Sequence, residues 1–530
     1  MSEPLKSIKL VTGFLTVGVW TLASRVLGFV RDVLLAAFLG SGAVAEAFLI
    51  AFSLPNMFRR FFAEGAFNSA FVPLFSKKLQ TNEGQERFAQ EAFVALGSLL
   101  ILLTLLAQLV MPWLVLAMAS GFFGDERFEL ATNYGRIVFV YVLFVSLAAL
   151  LSAVLNATGR FAVAAAAPVA LNVILIGAIS LAFFIHSNQA TIDVPLDRYI
   201  GRYLVWGVVA AGIAQFGLVW WASAKAGYPL RPEIPRLSPD VRRLVVIAAP
   251  SILAAGVVQI NLLVGRQIGS FFDGAIAWLA FADRLYQLPL GVIGIAIGVV
   301  LLPDLARRLQ AEDGAGGRAA LSRAAEIAMA LTIPATISLM VIPSELVSVL
   351  FGRGAFSDND VTATALAITV YAVGLPAFVL QKILQPLYFA REDTRTPFLF
   401  AVVAMAVNAL VAILMAYMLG FIGAAIGTSV AAWVMFWLLM RGRRVMGTVA
   451  TFDHQFQSRL PRMIFASVVM GATLYGLSGL LASTLAVDGW RWFALLIIVL
   501  VGALTYFAVG WLVGAFKLTD FKRALQRERD

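Results

Sequence analysis

Arg25, Arg31, Asp32, Glu46, Arg59, Arg60 and Glu64 stand in a stretch, Ser24–Pro73, whose other residues are mostly apolar enough for a bilayer. An ionised side chain at the bilayer centre costs about 2.5–3.5 kcal/mol on insertion scales. Two helices carrying so many charges are not built to turn all of them to lipid; the economical reading is a water-filled cavity. Arginines outnumber acids in this stretch, so the cavity suits an anion. A guanidinium is planar and meets a phosphate through two parallel N–H donors. Several of them in a low-dielectric cavity point to a phosphate or diphosphate rather than a monocarboxylate.

The spacing refines this. Arg25, Gly28 and Asp32 lie at i, i+3 and i+7, on one helical face, with Arg31 about 120° round. A plain alternative is that Arg25 and Asp32 pair to lower the cost of burial. Arg60 and Glu64, at i and i+4, are spaced to pair in the same way, which leaves Arg59 as the free cation; snorkelling at a helix end is the plain alternative for Arg59 and Arg60. A second cluster lies further on. In ADRLYQLP, Ala282–Pro289, Asp283 and Arg284 sit deep in an apolar run, with Gln287 one turn on. Gln259, Asn261 and Arg266 decorate the preceding span; hydrogen bonding between helices is the plain alternative for Gln259 and Asn261. Candidate hinges are Gly28, Pro55, Gly65 and Pro289, because proline removes a backbone hydrogen bond and glycine lacks a Cβ. Lys382, Arg391 and Arg395 read as interfacial.

The elements that must position these groups are membrane spans. The chain is 61% hydrophobic and only 13% charged, against about 25% charged in soluble domains. A span needs about 20 apolar residues, and fourteen candidates are found: 13–38, 44–72, 90–118, 132–157, 162–185, 203–224, 243–270, 275–303, 324–350, 362–389, 397–418, 420–440, 462–484 and 490–515. Lys and Arg concentrate in alternate connections, Lys77–Lys78, Lys225–Arg243, Arg307–Arg323 and Arg441–Arg462 among them, and in the tail after Lys517. By the positive-inside rule both termini are cytoplasmic. The formal charge of +10 is accounted for by these basic connections, so no nucleic-acid partner is implied. The N-terminus lacks a cleavable signal pattern.

Catalysis finds little support. With no cysteine, thiol chemistry and cysteine-held metals are excluded. The two histidines, His186 and His454, lie outside apolar runs, so no metal site is expected. There is no Walker A, H-E-x-x-H or glycine-rich dinucleotide turn. A membrane enzyme acting on a lipid would need an acid/base constellation. Asp125, Glu126, Asp193, Asp197, Asp358 and Asp360 lie in short loops without a nucleophile, so the chain is read as a non-enzyme without a resident cofactor.

A faint repeat organises the spans. At a shift of 230 residues, Ala45–Gln80 overlies Ala275–Gln310 without a gap, and Lys77–Lys78 meets Arg307–Arg308; Tyr141 meets Tyr371, and at a shift of 236 Asn172 meets Asn408. Six spans separate the copies, which implies parallel topology, one known transporter plan. The expected fold is an all-α polytopic membrane protein of about 14 helices. It comprises an N-terminal lobe (1–225), a C-terminal lobe (240–440), two further helices (460–516) and a basic tail (517–530).

SRVLGFVRD (24–32), LPNMFRRFFAEGAFNSAFVPLF (54–75), ADRLYQLPLGVIGIAIGVVLLP (282–303) and REDTRTP (391–397) together resemble the MurJ (MviN) family. These are the bacterial lipid II flippases of the multidrug/oligosaccharidyl-lipid/polysaccharide exporter superfamily. The resemblance covers nearly the whole chain and implies two six-helix lobes flanking a cavity, with two added helices forming a lipid-facing groove. It implies outward movement of lipid-linked peptidoglycan precursor across the bacterial inner membrane by alternating access. The family's essential arginines fall here on Arg25, Arg31, Arg59 and Arg284, the substrate-binding candidates. Asp32, Glu46, Arg60, Glu64, Gln259, Asn261 and Asp283 are cavity or coupling candidates; Glu46 stands where the family often has aspartate. Coupling to a monovalent cation or to membrane potential, and contact with the cell-wall synthesis machinery, are expectations of the same kind. The alternatives are a flippase for another undecaprenyl-diphosphate oligosaccharide, or a drug/cation antiporter, whose cavity should be dominated by acids.

Overall fold

The computed structural model describes residues 10–516 except 61–65, 188–194, 232, 236–237, 312, 448–449 and 488; side chains at 10–15, 66–69, 250–262, 292–304, 306, 309–310 and 444–445 are also not described. Glu64 and Gly65, and with them the Arg60–Glu64 pairing, lie outside the described residues, as do the side chains of Gln259 and Asn261 and the tail from 517.

The described residues form helices and no strands. In order they are α1 (Leu10–Leu39), α2 (Ala43–Arg59), α3 (Ala66–Thr81), α4 (Gln85–Met118), α5 (Glu126–Phe139), α6 (Tyr141–Ala157), α7 (Phe161–His186), α8 (Leu196–Lys225), α9 (Pro239–Gly269), α10 (Ala275–Gln310), α11 (Gly314–Val341), α12 (Pro343–Leu350), α13 (Asp358–Phe389), α14 (Arg395–Leu419), α15 (Ile422–Gly442), α16 (His454–Leu480), α17 (Ala482–Leu485) and α18 (Arg491–Leu512). Among the described residues, ten helical stretches are long and apolar enough to cross a membrane. The helices α1, α9 and α10, with 30, 31 and 36 residues, rise about 1.5 Å per residue and so exceed the ~30 Å hydrocarbon core. Outward faces carry large apolar side chains in full exposure, such as Leu109, Trp113, Tyr417 and Leu512. In water so much exposed apolar surface would drive association; in a bilayer it is the lipid face.

Helix starts follow local chemistry. Asp125, Ser238 and Asp453 accept from the amides of Arg127, Val241 and Phe456, and Ser357 forms a reciprocal capping box with Asp360, satisfying donors that no turn of helix can reach. The span expected at 324–350 is broken: α11 ends at Val341, and Pro343 opens α12, because a proline disfavours helical backbone in the residue before it. At Pro55, buried inside α2, the helix continues. Nearby, Ser53 Oγ and Asn56 Nδ2 donate to the carbonyls of Leu49 and Phe52 at 2.6 and 2.9 Å.

Packing divides the chain into two compact units, 1–277 with 354–356, and 278–353 with 357–530. In the first, α7 packs along α1 and α8, α6 along α8, and α2 along α5; α9 packs on α3 and α4. In the second, α14 and α13 both pack along α15, and α11 along α13. The order α6–α8 with α7–α8 is thus repeated as α13–α15 with α14–α15, in step with the sequence repeat, and Asn172 and Asn408 are buried at matching places. The added helices α16 and α18 pack on each other, and α16 also packs on α11. Met470, Leu474, Leu495 and Ile498 form their shared core; Tyr506 donates to the Ala330 carbonyl at 2.7 Å, and Arg459 pairs with Glu326.

In the first unit the Ala355 amide donates to the Ala37 carbonyl at 2.7 Å. Gly40 has φ +58° there, and a Cβ would meet the Ala355 carbonyl oxygen. Gly40→Ala combines left-handed backbone strain of about 1–2 kcal/mol with that clash; it is expected to lower the thermal midpoint of the purified protein by several degrees. In the connection before α14, the Thr396 amide donates to Asp393 at 2.9 Å and holds that carboxyl below its ordinary range. The resulting stabilisation is present above the ordinary carboxylate pKa and lost as pH falls through the lowered value. Asp393→Asn should therefore flatten the acid limb of the stability–pH curve, measured by thermal unfolding.

Candidate functional site

The first unit holds three of the four arginines singled out from sequence. Arg31 and Asp32 are buried on α1 while Arg25 is exposed on the same helix. Arg31 Nη2 lies 2.7 Å from Asp32 Oδ1, Nε donates to the same oxygen at 3.1 Å, and Nη1 donates to Asn172 Oδ1 of α7 at 3.1 Å. Asn172 Nδ2 in turn donates to the Ser24 carbonyl at 2.9 Å. The arginine that Asp32 holds is therefore Arg31, not Arg25 as helical spacing suggests. The cause is α7: its amide meets α1 at Gly28, where a Cβ would stand 3.6 Å from Asn172, and it draws the Arg31 guanidinium onto that side. Arg59 is half-buried at the end of α2, and Arg60 is exposed.

Glu46 is fully buried in the first turn of α2. Its Oε2 lies 3.0 Å from Arg127 Nη1, and its Oε1 accepts from the Ile276 amide at 2.9 Å. Arg127 also reaches Asp125 at 2.6 Å and Asp273 at 3.0 Å, and its guanidinium lies 4.6 Å from the centre of the Phe122 ring. A buried carboxylate without such partners would cost several kcal/mol. Glu46 thus ties α2, α5 and the first turn of α10 together.

In the second unit Arg284 is exposed on α10. Asp283, half-buried, accepts from Gln287 one turn on. Tyr286 stacks on Tyr371 of α13 with ring centres 5.6 Å apart; this is the tyrosine that the repeat aligns with Tyr141. Helix α10 runs unbroken through Pro289. No group of three or more His, Cys, Asp or Glu suited to a metal occurs among the described residues.

Two site residues were not singled out by sequence reasoning. Asn172 is visible only as a repeat mark, and Arg127 sits among loop acids that read as solvated. Their partners are 141 and 81 positions away, so no local spacing announces them.

The arrangement of helices has known relatives. A solved structure described as "Lipid II flippase MurJ, inward closed conformation" superposes with a TM-score of 0.76 at 24% identity, covering 94% of this chain and 98% of that one. An inward-facing multidrug resistance MATE family transporter of the MOP superfamily superposes with a TM-score of 0.66 at 13% identity, covering 80% and 95%. The chain thus shares the helical fold of these two structures. The sequence narrows this. The family model for lipid II flippase MurJ matches residues 35–502. A probable lipid II flippase MurJ of Rhizobium meliloti (strain 1021) is 41% identical over 527 residues, covering 98% of this chain and 97% of the relative, and that of Rhizobium tropici is 38% identical, covering 98% of each. The chain belongs to the lipid II flippase MurJ family.

Removing one partner of a buried pair costs about 3–5 kcal/mol. Arg127→Ala, which leaves Glu46 buried without its guanidinium, is expected to lower the thermal midpoint more than the double variant Glu46→Gln/Arg127→Met. Parallel thermal unfolding in one detergent measures the difference.

Proposed function

We propose that this chain moves lipid II, the undecaprenyl-diphosphate-linked disaccharide peptide, from the inner to the outer leaflet of the bacterial cytoplasmic membrane. The observation that carries the reading is family membership over nearly the whole chain, joined to a surplus of arginine in helices otherwise suited to lipid. Arg25, Arg31 and Arg59 are the diphosphate ligands of the first unit and Arg284 that of the second. Guanidinium is the side chain suited to that charge and shape. The polyprenyl chain stays in lipid along α16 and α18, whose outward faces expose Phe465, Tyr475, Leu496 and Leu504.

Both described carboxylates of α1 and α2 are bonded to arginine, Asp32 to Arg31 and Glu46 to Arg127. That arrangement does not suit a cationic drug, so the antiporter reading is disfavoured. Transport proceeds by alternating access, both termini lie in the cytoplasm, and the chain moves its substrate without chemical change. The drive is membrane potential acting on cavity charge, worth about 2.3 kcal/mol per charge per 100 mV, or a monovalent cation.

The test is lipid II accessible on the outer leaflet of cells depleted of this protein and re-supplied with wild type, Arg59→Ala or Arg284→Ala. Wild type should restore it, and the two variants, inserted at normal level, should not. Export unaffected by depletion would exclude lipid II and direct the search to another undecaprenyl-diphosphate sugar. A fully active Arg284→Ala protein would remove that residue from the site.

A further inference from the structure

Helix α7 is almost wholly apolar, yet Asn172, only 6% exposed, sits at its middle. An amide in a membrane helix is costly unless its donors and acceptor are used. Here both ends are used, and on one helix. The Nδ2 group donates to the Ser24 carbonyl at 2.9 Å and approaches Ser24 Oγ at 3.4 Å, while Oδ1 accepts from Arg31 Nη1 at 3.1 Å. Ser24, Gly28 and Arg31 lie at i, i+4 and i+7, so they share the α1 face that meets α7. The amide passes α1 at Gly28, where an added Cβ would make an ordinary contact with it at 3.6 Å. Arg25 follows Ser24 directly and is turned about 100° from this face, which leaves it exposed. Asn172 is thus a polar tie between α7 and the stretch of α1 that bears Arg25.

We infer that Asn172 is a positioning residue of the anion site: by binding the Ser24 carbonyl and the Arg31 guanidinium together, it fixes the aim of Arg25 and holds Arg31 against Asp32. This rests on the reading of Arg25 and Arg31 as diphosphate ligands. A guanidinium held only by Asp32, its neighbour in sequence, would be free to turn with α1. Held by α7 as well, it has one place. Asn408, buried on α14 of the second unit at the matching position of the repeat, provides a comparison, since it lies on a helix that does not belong to the unit containing Arg25.

The chain contains no cysteine, so Arg25→Cys introduces a single thiol reporter. The rate at which an anionic methanethiosulfonate modifies it in full-length protein in detergent is compared in three backgrounds: parent, Asn172→Leu and Asn408→Leu. Leucine keeps the apolar volume while removing the hydrogen bonds. Asn172→Leu should change the rate at least about threefold and Asn408→Leu should leave it unchanged. With Arg25 retained, Asn172→Leu, inserted at normal level, should lower outer-leaflet lipid II. A parent-like rate in Asn172→Leu, or an equal change from both leucine variants, would overturn the inference. If wild type itself exports no lipid II, the substrate reading falls, while the thiol rates still decide whether Asn172 positions α1.

Discussion

A guanidinium placed in an apolar helix bundle has to be met by oxygen. Its desolvation costs several kcal/mol, and its donors reach in a fixed planar fork that only suitably placed acceptors can satisfy. Much of the first unit's internal order follows from this demand. Arg31 is met by Asp32 of its own helix and by Asn172 of α7; Arg127 is met by Glu46 of α2, by Asp125 at the start of its own helix and by Asp273 before α10. Each centre joins helices that apolar packing alone would leave free to slide, because dispersion and hydrocarbon contact in a bilayer specify little about register.

The two centres differ in what they leave over. Around Arg127 the carboxylates are in excess, and the group serves to hold three elements at one end of the unit. Arg31 is bonded to Asp32 and to Asn172, and Arg25, Arg59 and Arg60 are the less buried arginines of this stretch. A guanidinium met by a carboxylate and an amide gives a rigid frame at little electrostatic cost. In the second unit Asp283 is held by Gln287 one turn on, beside the stacked Tyr286 and Tyr371, and Arg284 stands exposed next to them.

Membrane character, helical class and the repeat could all be read from the chain, because each depends on composition or on residues close in sequence. Hydrophobic runs of span length have one stable answer in lipid. The helix breaks were less legible: 324–350 reads as one run of hydropathy, yet Pro343 ends the helix by acting on the backbone of Ile342. Pairing was less legible still. Spacing on a helical wheel placed Asp32 with Arg25, and nothing local said that an amide from α7 would draw Arg31 to that side instead.

What the sequence by itself determined is the chemistry available: arginines in bilayer-compatible helices, no cysteine thiol, and a two-fold repeat of spans. Those properties are additive along the chain. The tertiary structure alone decided how the buried charges are paired, bringing Asn172 to Arg31 and Arg127 to Glu46 across 141 and 81 residues. A buried charge takes its partner from whichever helix packs beside it, and that neighbour is set by the whole bundle rather than by any stretch within it.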